Sequence, residues 1–258
     1  MNERNIIINQ GTNDDYLVIC DHASNRIPNK YDNLGLNKET IESHRAYDIG
    51  ISDVANALSE KIKCPLIMTN FSRLLIDPNR GIDDPTLIPK LSENIKICGN
   101  LKTNFNDNCI ERSERINLFY LPYHQAIERF ISESIKKSKV PKIISMHSFT
   151  PIWKGKRRET DLGILWDKDD RLASIFLNSF KEINIGNNKP YNGRLMNDTL
   201  YKHGTLNGLP HILIEIRQDL LKTLKERSLW ANKIYEVLKE NKKEIKSFKI
   251  KKYGSNAI

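Results

Sequence analysis

Three short apolar runs each end in a side chain that does chemistry, and this repeated pattern constrains the fold most. Tyr16–Cys20 runs into Asp21 and His22, Lys142–Met146 into His147, and His211–Ile216 carries Glu215 near its end. Short apolar runs bounded by polar residues read as buried strands. Between them lie stretches of helical period. Ile51, Val54, Leu58 and Ile62 form a stripe through Asp48–Lys61, and Ile127, Ile131 and Ile135 keep a four-residue spacing through Leu118–Lys137. Arg171–Phe180 and Asp219–Lys239 read as further helices, as does Leu195–His203. Pro65–Thr69, Arg73–Asp77 and Leu162–Trp166 read as further strands.

Strands alternating with helices predict an α/β fold, three-layer α/β/α, around a mainly parallel mixed sheet. With no linker or internal repeat in 258 residues, the expectation is one domain over 1–258, with a basic tail from about Lys242. Ligands of open α/β sheets bind beyond the carboxyl ends of the strands, where the two histidines and the glutamate fall. Pro78–Asn108 and Gly186–Gly193 read as irregular, and a loop as long as the first suits a cover for a site.

Charge and cysteines narrow the function. The net charge is +9, but Ala231–Ile258 holds eight Lys and three Glu, so +5 of it sits in the last 28 residues. A solvated lysine-rich tail is the reading that follows, and no specific nucleic-acid partner is expected. No apolar run reaches the roughly 18 residues that span a bilayer, and no signal peptide opens the sequence. Cys20, Cys64, Cys98 and Cys109 form no Cys-x-x-Cys pair, which fits reduced thiols and a cytoplasmic location. The sequence lacks a Gly-x-Ser-x-Gly elbow, a P-loop and a Gly-x-Gly-x-x-Gly, so neither Ser145 nor Ser148 reads as a hydrolase nucleophile and no nucleotide cofactor is implied.

Two strand-end histidines with a nearby carboxylate suit a zinc site with a general base, Glu215. Arg217, two residues on, offers a plain Glu–Arg pair as the alternative. Arg73, Asn79 and Arg80 bracket a run that suits carboxylate binding, with surface ion pairing as the alternative. Asp48, in His44–Gly50, reads as a helix cap or a metal ligand.

Taken in order, Asp21–Pro28, His44–Gly50, Ser72–Arg80, Pro122–His124, His147–Pro151, Asn188–Tyr191 and Gly208–Leu220 resemble the N-formylglutamate amidohydrolase family, over about Tyr16–Trp230. The likeness is greatest to its branch of predicted N-formylglutamate amidohydrolases. That family is related to zinc carboxypeptidases and aspartoacylases, so the resemblance implies a phosphorylase/hydrolase-like fold and one zinc ion. It implies His22 and His147 as ligands, Asn79 and Arg80 as the clamp on a substrate carboxylate, and Glu215 as the group that activates water. The relatives' His-x-x-Glu stands here as His22 followed by Asn25. A neutral amide binds zinc poorly, so Asp48 is expected as third ligand, with Asn25 or water the alternatives.

Arg73 is expected to stabilise charge on the reacting carbonyl, and His124 and Arg217 to contribute to substrate binding. The expected activity is zinc-dependent hydrolysis of an N-acyl or N-formyl amino acid to formate and free amino acid. A related deacylase or carboxypeptidase-like amidase is the nearest alternative. A nucleic-acid-binding protein and an inactive binding module are the others.

Overall fold

The computed structural model describes residues 4–103 and 110–257; Cys109 and the end of the Pro78–Asn108 segment lie outside that range. Eleven strands occur among the described residues: β1 Ile6–Asn9, β2 Tyr16–Cys20, β3 Leu66–Thr69, β4 Leu91–Ser92, β5 Ile95–Lys96, β6 Lys142–Phe149, β7 Ile152–Trp153, β8 Lys156–Arg157, β9 Leu162–Leu165, β10 Ile185–Asn187 and β11 His211–Arg217. The helices are α1 Lys38–Ile41, α2 Ile51–Ile62, α3 Ile110–Arg115, α4 Leu121–Lys136, α5 Arg171–Ser179, α6 Leu224–Glu240 and α7 Lys242–Ser247.

Seven strands form one mixed sheet in the order β1-β3-β2-β6-β11-β9-β10. β3, β2, β6 and β11 run parallel; β1 joins β3, and β9 joins β11, antiparallel. The predicted α/β class and mostly parallel sheet are therefore observed.

Both faces of the sheet are covered, and period-two alternation along the strands decides what covers each. Val18, Cys20, Ile144, Met146, Ile212 and Ile214 pack with the apolar sides of α2, α5 and α6. Leu17, Ile19, Ile143 and Leu213 face the other way, onto Tyr123, Ile127 and Ile131 of α4. Ile135, expected on that stripe, is 40% exposed. A strict four-residue step turns about 40° per repeat, so it leaves the buried face after a few repeats.

The chain passes from β2 to β3 through α2 on one face, and from β3 to β6 through α4 on the other. The strands reached by these crossovers flank β2 on opposite sides. This reversal opens a crevice beyond the carboxyl ends of β2 and β6, where such sheets bind ligands.

Two local expectations are corrected and a third is refined. Arg73–Asp77 is not a strand. Its backbone is held in turns, with Arg73 N–H donating to Ala46 O and Leu75 N–H to Ser72 O. Leu74, Leu75 and Ile76 are all buried in a satellite core with Ile27, Phe71 and Phe119, and a short apolar run reads the same in either setting. The helix expected over Leu118–Lys137 is observed up to Lys136, and its first turn belongs to a π-helical stretch, Ile116–Tyr120, that runs straight into α4. Gly186–Gly193 is not wholly irregular, since β10 pairs with β9.

β1, a half-exposed edge strand, carried no sequence signal. Leu195–His203 is helical only from Thr199, running into a π turn at Tyr201–Thr205. The Pro78–Asn108 segment is anchored on both sides of the β4–β5 hairpin: buried Asn100 donates to Leu74 O and Pro89 O and accepts from Arg115.

The basic tail has two sides. Lys242, Lys243, Lys246, Lys249, Lys251 and Lys252 are exposed. The backbone beneath them is docked: Ile245 is buried, Lys251 N–H donates to Gly208 O, and Asn256 N–H donates to Asp167. No helix among the described residues is long and apolar enough to cross a membrane. Cys20, Cys64 and Cys98 are free thiols.

Candidate active site and metal centre

Three elements deliver the central side chains. His22 follows β2, Asp48 ends the turn before α2, and His147 lies within β6. Asp48 N–H donates to His22 O at 3.0 Å, which ties that turn to the end of β2. Gly50 caps α2 at φ 80, and a Cβ there would lie 2.9 Å from Leu221 Cβ, so the helix can start close against the Leu221 segment. The three side chains are buried, and one ligand atom from each lies within 4.8 Å of the others.

The hydrogen bonds fix which atoms converge. Asp77 Oδ1 sits 2.8 Å from His22 Nε2, and Asp21 Oδ2 sits 3.0 Å from His147 Nε2. Each carboxylate accepts a hydrogen bond from Nε2–H, so in the neutral form of either ring Nδ1 turns its lone pair inward. His147 Nδ1 meets Asp48 Oδ2 at 3.0 Å, while His22 Nδ1 lies 3.5 Å from that oxygen, is buried and makes no hydrogen bond. Two inward nitrogens beside one carboxylate oxygen suit a cation among them. Without a metal ion a proton supplies it: although burial opposes the charge, Asp21 and Asp48 raise the His147 pKa well above its ordinary value.

The carboxylates respond in kind. Burial resists their ionisation, but hydrogen bonds and charge from the histidines hold Asp21 down at about 2 and Asp48 below the usual range. A carboxylate behind each histidine is the outer support that metal-binding imidazoles use. Donor set and geometry therefore fit a divalent ion, and Asp48 completes the set. Asn25 instead donates to Ile41 O and is not among the residues that line the cavity over the cluster.

Glu215 lies beside this cluster. It is the register partner of His147 on the adjoining parallel strand and of Gly163 on the other side. A Cβ on Gly163 would lie 2.4 Å from Lys189 O and 3.1 Å from Glu215 Cβ, so glycine leaves the carboxyl its room. Glu215 is buried, and its Oε2 makes no hydrogen bond. Burial raises its pKa to about 7, against the pull of His147.

A cavity of about 460 Å³ opens over these groups and is lined also by Arg73, Asn79, Arg80 and Tyr191. Arg73 bonds Asp77 at 2.7 Å and approaches Asp48 at 3.9 Å. Asn79 accepts from Thr199 N–H at 3.0 Å, which leaves its NH2 free to donate. Arg80 Nη1 donates to Asn79 O at 2.8 Å.

Two expected substrate-binding residues lie elsewhere. Arg217 is spent on Asp161, Asp219 and the carbonyls of Arg158, Glu159 and Thr160, and it lies outside the cavity lining. The three carbonyls come from one irregular stretch between β8 and β9, which has no strand partner to satisfy them, and no pair between Arg217 and Glu215 forms.

His124 is buried behind the cavity, 2.8 Å from His203 and 3.1 Å from Pro78 O. Burial holds its pKa well below the ordinary value and that of His203 at about 4, so both are neutral. His124 thus donates to Pro78 O and accepts from His203. Tyr120 donates to Arg80 O at 2.8 Å and contacts Lys202, so the stretch from Pro78 to Arg80 is clamped from behind. Both π-helical stretches contribute to this clamp, in keeping with their frequency at functional sites.

Ser145, although 3.1 Å from His147, is wholly buried beneath it and unsuited to attack on a ligand. Asp21 was visible in sequence only as the neighbour of His22. Asp77 stood within the Arg73–Arg80 cluster without a role, and Thr199 and His203 carried no signal.

A comparison with known families matches residues 14–222 to N-formylglutamate amidohydrolase. The chain belongs to the N-formylglutamate amidohydrolase family. A solved structure, the gene product Atu2144 of Agrobacterium tumefaciens, is similar at 33% identity and TM-score 0.86, over 94% of this chain and 96% of that one. An N-formylglutamate amidohydrolase of Ralstonia eutropha shares the fold at 19% identity and TM-score 0.64, over 93% of this chain and 100% of that one. No curated protein matches the chain significantly. Membership in this family makes the protein a hydrolase of the amidohydrolase kind.

Proposed function

We propose that the protein hydrolyses the amide of an N-formyl amino acid, N-formylglutamate or a close analogue, giving formate and the free amino acid. One zinc ion held by His22, Asp48 and His147 would serve the reaction. The observation that carries this reading is the convergence of two inward Nδ1 atoms on Asp48, with His22 Nδ1 buried and unbonded and Glu215 alongside. Two histidines and a carboxylate with an open side suit catalytic zinc. When bound, the ion supplies Lewis-acid polarisation of the acyl carbonyl and makes water acidic enough to yield its proton near neutrality.

The chain's own residues do the rest. Glu215 takes a proton from the attacking water as the new carbon–oxygen bond forms, then delivers it to the nitrogen as the carbon–nitrogen bond breaks. Its raised pKa suits both halves of that task, since the group exchanges a proton near neutrality. Arg73, on the cavity wall beside Asp48, is placed to stabilise negative charge growing on the acyl oxygen. The Asn79 amide and the Arg80 guanidinium hold the substrate's α-carboxylate, and the clamp of His124, Tyr120 and Lys202 on Pro78–Arg80 fixes their positions.

A cavity of about 460 Å³ has room for more than a whole N-formyl amino acid, and this favours one second reading, a deacylase of the same mechanism taking a longer acyl chain. Formate release from N-formyl-L-glutamate by the purified protein, beside acetate release from N-acetyl-L-glutamate, tests both. Preference for the formyl compound supports the first reading. Preference for the acetyl compound supports the second. Turnover of neither overturns the reaction class.

A further inference from the structure

The turn that supplies Asp48 also supplies His44 and Arg45, and both line the cavity. In this structure they hold the carboxylate of Glu93, which the β4–β5 hairpin brings to the same wall. His44 Nε2 lies 2.8 Å from Glu93 Oε1, and Arg45 Nη2 lies 2.8 Å from Oε2. One carboxylate is therefore stretched across two partners. Arg45 Nε, the donor that would complete a two-point fork with Nη2, is buried and makes no hydrogen bond. A guanidinium binds a carboxylate best through two parallel donors. Glu93 leaves that arrangement half made.

The hairpin is unusual at the same residue. Glu93 and Asn94 occupy its two-residue turn at φ 45 and φ 69. Such turns favour Asn-Gly or Asp-Gly, because both central residues are left-handed. Asn94 fits that preference, but Glu93 does not. A residue poorly suited to its backbone thus places its carboxylate on His44 and Arg45, and strained positions of this kind cluster at ligand sites.

We propose that His44 and Arg45 form a second carboxylate subsite, which Glu93 occupies until a ligand carboxylate takes the Arg45 fork and releases the hairpin. Together with Asn79 and Arg80 on the same cavity, the subsite selects N-acyl amino acids with an acidic side chain. This deepens, and rests on, the reading of the cavity as the site for an N-acyl amino acid. Arg45 is then a specificity-determining residue, and Glu93 an internal competitor for the substrate's distal carboxylate.

Calorimetric binding of glutarate and butyrate to the purified protein tests this without turnover, because the two acids differ by the second carboxylate. Wild type should bind glutarate at least tenfold more tightly than butyrate. Arg45→Met should reduce glutarate to the butyrate level, and Glu93→Gln should tighten glutarate several-fold with little effect on butyrate. Equal binding of the two acids by wild type, or equal weakening of both by Arg45→Met, overturns the subsite. If N-formyl amino acids are not hydrolysed but the glutarate preference and its loss in Arg45→Met are seen, the reaction fails and the subsite stands. Hydrolysis without that preference is the reverse case.

Discussion

Glu215 and His147 are register partners on adjoining parallel strands, so the group proposed to move the proton and a group proposed to hold the metal are fixed to one another by the sheet's hydrogen bonds. No loop motion separates them. A site built on rigid strands keeps its reacting groups in register, and that is what positioning by the fold contributes to catalysis.

Glu215→Gln is the most direct probe of the proton's route. The amide is nearly isosteric and cannot take a proton from water. Turnover should fall by about 10²–10⁴ while metal content is kept. A variant as active as wild type would rule out Glu215 as the base.

The pH dependence follows from the same residue. Glu215 acts as a base, and burial raises its pKa to about 7. Activity should rise with pH along the acidic limb, with a midpoint at about 7 or below, since a bound cation pulls the midpoint down. In the metal-free protein the raised pKa has a stability consequence. The folded form holds the proton more tightly than the unfolded chain, whose value is the ordinary 4.5. This contribution is full below 4.5 and is lost as pH rises through about 7. Denaturation of the metal-free protein from pH 4.5 to pH 7.5 should show that loss in wild type, and Glu215→Gln should lack it.

Asp77 and Asp21 orient the two histidines without belonging to the ligand set. Asp77→Asn should lower metal affinity or activity by about 10–100-fold, the usual effect of removing such support. Competition with a chelating dye measures it. Unchanged affinity would show that His22 needs no orienting partner.

Much of this was legible in the sequence. The parallel strands, the two histidines and the glutamate stood out because buried strands leave uninterrupted apolar runs, and a polar residue at the end of one is conspicuous. Asp48 could be placed as a ligand only by its motif, since nothing local shows that the turn before α2 folds back over β2. Arg73–Asp77 misled because an apolar run buried in a satellite core has the composition of a strand. Arg217 misled because its partners, the carbonyls at 158–160, come from distant sequence. His203 and Thr199 join the site through tertiary contacts alone.

Arg217 allows its structural assignment to be separated from the expected substrate role. Arg217→Met leaves those carbonyls and Asp161 without their buried donor, and stability should drop by about 2 kcal/mol. Denaturant unfolding measures the loss. A normal stability with a raised KM would return Arg217 to substrate binding.

In the proposed reaction His22, Asp48 and His147 hold one catalytic metal ion. Metal content of the purified protein, measured by elemental mass spectrometry for wild type beside Asp48→Ala and His147→Ala, tests it most directly. About one zinc per wild-type chain is expected, with its loss in both variants and the fold intact by circular dichroism. Zinc kept in Asp48→Ala, or a wild-type protein that takes up no metal even on reconstitution, would contradict it.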